Sequence, residues 1–370
     1  MDLGFVWDLG FGNWDLTYMK ILVINSGSSS IKYKLFAMPG DHLLQRGIIE
    51  HIAEPGSKIG DHYTGLKMIL EKLDSVDAVG HRVVHGAEKF RTHVLINQKV
   101  IKEIKRCCSI APLHNPANLA GIRACQKLLP GVRQVAVFDT AFHQTLPDYA
   151  YLYGLPYRFY KKQGIRKYGF HGTSHEYVAR QASRLLKRPL RQLKIVTCHL
   201  GNGCSIACVY KGKSVDTSMG FTPLEGLIMG TRSGDIDPAL ITYLMSRMQL
   251  DIHGIDEILN KKSGLLGISG VSNDMRILQR KALQGHRRCN LAINMFIYRI
   301  RKYIGAYMAV MGGLDALIFT AGIGENQVMI RRKIISGLFT GLKKRPKILV
   351  IPTDEELMIA HKTFELLRRR

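Results

Sequence analysis

Acidic residues are scarce in this chain: 29 Asp and Glu stand against 53 Lys and Arg among 370 residues, a formal net charge of +24. Such a surplus favours anionic partners such as nucleotides, phosphorylated metabolites or nucleic acid. It is scattered over Lys105–Arg106, Arg287–Arg288, Arg299–Lys302, Arg331–Lys333, Lys343–Lys347 and Arg368–Arg370. Scattered charge fits solvated helix faces, and with no recognition motif beside it no specific nucleic acid is expected. Long apolar runs are missing, so no segment reads as membrane-spanning and no membrane partner is expected. Seven cysteines (107, 108, 125, 198, 204, 208 and 289) form no CxxC pair and no His/Cys zinc spacing. They read as free thiols of a reducing cytoplasm. Both tryptophans fall within residues 1–18, which hold Asp2, Asp8 and Asp15 but no basic residue. A signal peptide needs a positive start and an unbroken apolar stretch. Residues 1–18 are therefore expected to be a disordered or artefactual extension, with the globular part opening at Met19.

What the chain has in quantity is glycine in one place. Residues His199 to Pro238 hold seven glycines in forty, interleaved with Ser, Thr, Asn, Asp and Arg232. Glycine at that density is tolerated where a backbone turns tightly or approaches something closely. The polar residues between suit phosphate and a metal ion, so the block reads as phosphate-handling. At this length two domains are expected, since single cores stop growing near ~250–300 residues.

Lys20–Asn25, the turn Ser26–Ser30 and Ile31–Phe36 read as strand, polar Gly/Ser turn, strand. Lys194–Cys198, Gly201–Gly203 and Ser205–Tyr210 repeat the grammar, with Ser30 set against Ser205. Two such units argue for duplicated domains, although unrelated hairpins would also fit. Ala78–Val84, Gln134–Phe138 and Ala316–Thr320 are further strands. Helical periodicity with local caps marks Asn115–Leu129, His175–Leu186, Pro238–Met248, Arg288–Met311, Asn326–Leu338 and Glu355–Leu367. The alternation indicates α/β architecture with mixed sheets, and the Tyr/Pro/Gly-rich stretch Pro147–Lys162 is the expected crossing between halves.

Three turns are phosphate candidates: Asn25 to Lys32, Gly201-Asn202-Gly203, and Gly322-Ile323-Gly324-Glu325-Asn326 where a strand meets a helix. None is a Walker loop, which needs GxxxxGK[ST], and none is a full GxGxxG. Arg82 and Arg232, each in a Gly-flanked loop, carry the fork geometry that matches carboxylate or phosphoryl oxygens. Asp139 follows a strand, where open α/β sheets put their sites. Asp235, Asp237 and Glu355 are carboxylates available to magnesium, and His114 and His171 complete the polar set.

Taken in order, these segments resemble the acetate kinase family of the sugar kinase/actin/Hsp70-like superfamily. The resemblance runs from Met19 to about Leu367. It rests on INSGSSSIK (24–32), GHRVVHG (80–86), APLHNPAN (111–118), FDTAFHQTLP (138–147), KYGFHGTSH (167–175), the glycine-rich block, SGLLGISGVSND (263–274) and FTAGIGENQ (319–327). It implies two duplicated ribonuclease-H-like, actin-like ATPase domains with mixed β-sheets and flanking helices, and the active site in the interdomain cleft. The implied division is an acyl-substrate side at 19–150, a nucleotide side at 151–352, and a terminal helix at 353–370 packing back on the first domain.

The activity implied is transfer of the ATP γ-phosphoryl to acetate, giving acetyl phosphate and ADP. By the resemblance, Arg82, Asp139, His171 and Arg232 are catalytic, and Arg82, Val84, Leu113, Phe170 and Pro223 bind the short carboxylate. Ser28, Ser30, Lys32, His199, Leu200, Gly201, Asn202 and Gly203 match phosphate-loop positions. Asp274, Met275, Arg276, Gly322, Ile323, Gly324, Glu325 and Asn326 match the adenosine side. Asn25 and Glu355 match positions associated with magnesium, for which manganese is an alternative. A cytoplasmic homodimer is implied too. The alternatives are a propionate or other short-chain acyl kinase, a non-enzymatic ATP-binding member of the superfamily, and a basic nucleic-acid-binding protein. The chain departs from the family pattern at residues 1–18, at Ala87 where a second glycine is usual, and in shorter stretches at 36–77 and 341–347. The second contraction puts the place of Glu355 in question, and the basic surplus exceeds the family's habit.

Overall fold

The computed structural model describes residues 18–112 and 114–368; the segment 1–17 and Leu113 lie outside the described residues. Two mixed sheets organise the chain. In the first, β1 (Met19–Ser26), β2 (Ile31–Met38), β3 (His42–Ile49), β4 (Ala78–Val83), β5 (Val94–Leu95) and β6 (Arg133–Phe138) lie in the order β3-β2-β1-β4-β6-β5. In the second, β7 (Lys194–Leu200), β8 (Cys204–Tyr210), β9 (Lys213–Thr217), β10 (Ala316–Thr320) and β11 (Lys347–Val350) lie in the order β11-β10-β7-β8-β9. The sheets share one plan. An antiparallel meander (β1-β2-β3, β7-β8-β9) continues into two parallel strands (β4-β6, β10-β11). The two hairpins are thus equivalent units. The pairs that close them are Ser26 with Ile31 and Leu200 with Cys204. Counted from those pairs, Lys32 rather than Ser30 corresponds to Ser205.

Both faces of each central strand are buried, and period-two alternation sorts their side chains between two cores. In β1, Leu22 and Ile24 pack with Leu66, Ile69, Ala124 and Cys125 from helices His62–Leu70 and Asn115–Leu128. Ile21 and Val23 face the opposite way, onto Ile359, Ala360 and Leu367 of the last helix, Glu355–Arg368. Gly80 makes that contact possible: a Cβ there would stand 2.6 Å from Thr363 Oγ1. In the second sheet Val196, Cys198 and Leu200 meet the long helix Arg287–Met311. Ile195 and Ile318 meet Val178, Ala179 and Ala182 of helix Gly172–Leu185.

The two halves exchange helices. Gly172–Leu185 follows the first sheet in sequence yet covers the second, while Glu355–Arg368 follows the second yet covers the first. The exchanged helices touch, with Lys362 Nζ 2.5 Å from Glu176 Oε1 and Arg180 Nη1 3.4 Å from Glu365 Oε1. The single helix expected at 326–338 is instead two, Ala321–Asn326 and Val328–Ile335. The glycine turn itself winds into the first, and Arg331 Nη1 caps its end by donating to Gly324 O (2.9 Å) and Glu325 O (2.7 Å). Among the described residues no helix is long and apolar enough to cross a membrane.

Candidate active site

The carboxyl ends of β1, β4 and β6 gather three polar side chains: Asn25, Arg82 and Asp139. Arg82 Nη2 donates to Asp139 Oδ2 at 2.6 Å and Nε to both carboxylate oxygens at 3.1–3.2 Å, while Nη1 reaches Asn25 Oδ1 at 3.3 Å. Asp139 is 1% exposed and also accepts from Thr173 Oγ1 at 3.3 Å. Glu355, at the start of the last helix, stands 3.7 Å from Arg82 Nε. Burial opposes the Arg82 charge, but Asp139 and then Glu355 outweigh it and hold the guanidinium above its ordinary pKa. Glu355 goes the other way: burial first, then the charges of Asp139, Glu356 and Asp354, push its carboxyl from 4.5 up to about 7 despite Arg82. With the loop before it as it stands, Glu355 lies within reach of Arg82.

The second half supplies the facing wall. His171 sits in the left-handed region (φ 56°) just before helix Gly172–Leu185, a strained conformation that costs of order 1–3 kcal/mol. It is tied down by Gly172 N donating to Asp139 O at 3.0 Å. Its ring stacks on His199 with centroids 4.2 Å apart, and its Nδ1 lies 2.9 Å from Ser205 Oγ. Burial, then the neighbouring His199 and His175 and the guanidiniums of Arg82 and Arg232, hold its pKa well below 6.5. The ring is therefore neutral near pH 7. Burial also lowers the pKa of Arg232. No carboxylate lies within ion-pair distance of Arg232 among the described residues, and its Nη1 donates to Pro223 O at 3.3 Å. A Cβ on Gly203 would stand 3.6 Å from both Arg232 Nη1 and His171 Nε2. Arg232, His171 and the glycine turn after β7 therefore converge on one space.

Two cavities flank that space. One, of about 290 Å³, is lined by Val84, Phe170, Pro223, His114 and Arg232 among others. The other, of about 410 Å³, is lined by Gly201, Asn202, Asn273, Asp274, Met275, Arg276, Gly322, Ile323, Asn326 and Gln327. An apolar recess sits on one side and a polar, glycine-edged trough on the other.

Residues 57–346 match the acetokinase family. The chain belongs to the acetokinase family. It is 51% identical to the acetate kinase of Halothermothrix orenii, over 94% of this chain and 100% of that one, and 51% identical to that of Geobacillus kaustophilus (94% and 99%). Among solved structures it is similar to Porphyromonas gingivalis acetate kinase, with TM-score 0.88 and 44% identity over 94% of this chain and 100% of that one. A propionate kinase from Francisella tularensis gives TM-score 0.87 and 43% identity over 94% and 99%. The two mixed sheets are those of the two-domain, actin-like ATPase fold expected from the motifs.

Within this acetokinase-family chain, Arg82, Asp139, Asn25 and Glu355 form one cluster, and His171, Arg232 and Gly203 another across the same cleft. Other expected residues stand apart from the cavity linings. Leu200 is in the core, and Gly324 backs onto Cys198 O. Glu325 is a brace, its Oε1 accepting from Ala321 N (2.7 Å) and Thr353 N (3.2 Å). His199 Nδ1 lies 2.8 Å from Ser174 Oγ, and the residue serves the cleft through its stack on His171. Ser28, Ser30 and Lys32 line neither cavity, but Lys32 pairs across the strands with Asn25 and so shares its face. Asp235, a candidate magnesium ligand by sequence, is instead spent on Arg299 (3.0 Å) and Tyr303 OH (2.8 Å). Ala87, where the resemblance implies glycine, adopts φ 48°, a conformation that glycine takes without strain. Sequence reasoning missed Thr197, His175 and Ser205, whose hydrogen bonds run between β7, β8 and a helix. Only the proximity of His175 to His171 within one motif hinted at them.

Proposed function

We propose that the chain transfers the γ-phosphoryl group of ATP to acetate, reversibly, by direct in-line attack of a carboxylate oxygen on phosphorus. The P–O bond to ADP breaks as the P–O bond of acetyl phosphate forms, and no phosphoenzyme intervenes. The observation that carries this reading is the convergence of Arg232 Nη1 and His171 Nε2 on the space beside Gly203, between an apolar recess and a nucleotide-sized trough. The nucleophile is already ionised at pH 7, so no general base is needed. The difficulty is repulsion between two anions and charge gathering on the transferring oxygens, which positioned cations and donors relieve. Arg82, oriented by Asp139, receives the acetate carboxylate. Val84, Phe170 and Pro223 enclose its methyl group. The glycine turn Gly201–Gly203 and the 410 Å³ trough take the phosphates and adenosine.

Magnesium fits the residues present. Among the described residues no group of three or more His, Cys, Asp or Glu is arranged to enclose an ion. Magnesium, however, uses one or two carboxylates plus water and substrate phosphates. Glu355, buried beside Asp139 with a carboxyl reluctant to ionise, is a site a cation would relieve, and Asn25 adds a carbonyl oxygen. When bound, the ion supplies positive charge to the phosphate oxygens.

Incubation with ATP, magnesium, acetate and hydroxylamine should yield acetyl hydroxamate; no acyl phosphate at any acetate concentration would sink the reading. The recess, at about 290 Å³, also has room for propionate, and similarity to a propionate kinase keeps that reading alive. One methylene is worth about 1–3 kcal/mol, so kcat/KM for the two acids decides between them. A cytoplasmic homodimer completes the proposal, to be checked by sedimentation and cell fractionation.

A further inference from the structure

Behind His171 lies a row of polar side chains that lines neither of the two cavities. Ser205 Oγ faces two ring nitrogens at once, His171 Nδ1 at 2.9 Å and His175 Nε2 at 2.7 Å. The other nitrogen of His175, Nδ1, lies 2.7 Å from Thr197 Oγ1. Ser205, His175 and Thr197 are all fully buried, so water does not complete these bonds. Burial above all keeps the pKa of His171 and of His175 well below 6.5. Each ring therefore carries one N–H, and the position of that proton is set by its neighbours.

A hydroxyl has a single proton to donate. If Ser205 donates to one ring nitrogen, the other must donate to it, so the row has a direction. In one direction Thr197 donates to His175 Nδ1, His175 Nε2–H donates to Ser205, Ser205 donates to His171 Nδ1, and His171 presents Nε2–H to the cleft. In the reverse direction Thr197 must place its proton on Ala207 O, which is 3.5 Å away, beyond a strong hydrogen bond. His171 would then aim a bare lone pair at the space where phosphoryl oxygens arrive. Both ends of the row favour the first direction.

We propose that Thr197, His175 and Ser205 are positioning residues, a one-way hydrogen-bond chain that fixes His171 as the Nε2–H tautomer and so makes it a neutral donor to the transferring phosphoryl group. This rests on the phosphoryl-transfer reading of the cleft. His171 acts neither as base nor as cation. Stacking on His199 holds the ring plane, and the buried row holds the proton.

The test uses the full-length protein with 15N-labelled histidine, whose two-bond 1H–15N spectra distinguish the two neutral tautomers from the imidazolium. The signals of His171 are found by their loss in His171→Asn. The expected wild-type pattern is a protonated Nε2 and a bare Nδ1. Ser205→Ala should lower kcat about tenfold, because the donating Nε2–H form falls to about a tenth of the population. KM for ATP and acetate should stay within about twofold, and the nitrogen shifts should move most of the way to the Nδ1–H pattern. Ser205→Thr, which keeps the hydroxyl, should restore the Nε2–H pattern and most of kcat. A wild-type His171 protonated at Nδ1 or at both nitrogens overturns the proposal, as does Ser205→Ala within about twofold of wild-type kcat. If the alanine variant fails to fold, the wild-type tautomer alone decides. Wild-type protein that forms no acetyl hydroxamate sinks the phosphoryl-transfer reading, whereas active wild type with the proton on Nδ1 sinks only the chain.

Discussion

Glu355→Gln separates the structural cost of this site from its chemical use. The carboxyl is 17% exposed and is pushed by burial from 4.5 to about 7 in the folded protein. A raised carboxyl pKa means that the native state holds the proton more tightly than the unfolded chain. The stability it contributes is complete below about pH 4.5 and is lost as pH rises through about 7. The interval corresponds to about 3 kcal/mol, of which about 2 kcal/mol falls between pH 5.5 and pH 8. Glutamine keeps the shape and cannot titrate. Without ligands, the variant should gain on the wild type by about 2 kcal/mol between those pH values, a shift of about 3 °C in Tm for a chain of this length. The assay is thermal or urea unfolding of both proteins at the two pH values. Titrating groups that do not interact with Glu355 cancel in the difference. Acyl phosphate formation should fall in the same variant, because the amide replaces the charge that would meet magnesium. A stability difference that stays flat between those pH values would mean that Arg82 holds Glu355 ionised throughout, and the argument from burial would be refuted.

Arg232→Ala removes a half-buried guanidinium that no described carboxylate balances. It should cost about 10³-fold in kcat with little change in Tm, as measured by hydroxamate yield and melting; turnover within about tenfold of wild type would refute its role. Gly203→Ala adds a methyl group 3.5 Å from His171 Cε1 and 3.6 Å from Arg232 Nη1, ordinary contact distances. Tm should hold while kcat falls at least about tenfold, because the methyl occupies the space meant for the phosphoryl group. Ala87→Gly relieves a φ of 48° and should stabilise by about 0.5–1 kcal/mol, read as a raised Tm with kcat unchanged.

How much of this the sequence disclosed follows from the range of the forces involved. The runs KILVIN, QVAVF and ALIFT are apolar and β-branched because both faces of their strands are buried, and they became β1, β6 and β10. The residues at the ends of the first two, Asn25 and Asp139, then fell beside Arg82 without further information. Glycine density marked the turns that crowd the site. The sequence could not reveal side chains that meet only after the sheets are packed. The Thr197–His175–Ser205 row joins two strands and a helix. Glu325 sits in a loop that looked ligand-facing, yet braces Thr353. The helix expected at 326–338 failed because no residue type announces a break that Arg331, from the first turn of the following helix, caps. The helix exchange was only half visible. The last helix was expected to return to the first half, but nothing marked Gly172–Leu185 as the cover of the second sheet.

That exchange also explains why a shortened chain keeps its site. The alignment with the Halothermothrix orenii relative runs 396 positions but spans 94% of 370 residues, about 348, so about 48 positions of the relative face no residue here. The contractions read from the sequence adjoin β3 and β11, the edge strands of their sheets, whereas the cleft is built on central strands. Glu355 does not depend on the length of the loop before it. Its helix is bound to the first sheet by Ile359, Ala360 and Leu367, lies directly on the bare backbone of Gly80, and is pinned to the other exchanged helix through Glu176. His171 is placed in the same manner, at the start of a helix fastened to β7 and β10. Each helix carries its cleft residue on its first turn or just before it, so core packing, rather than loop length, fixes the distance across which the charges act.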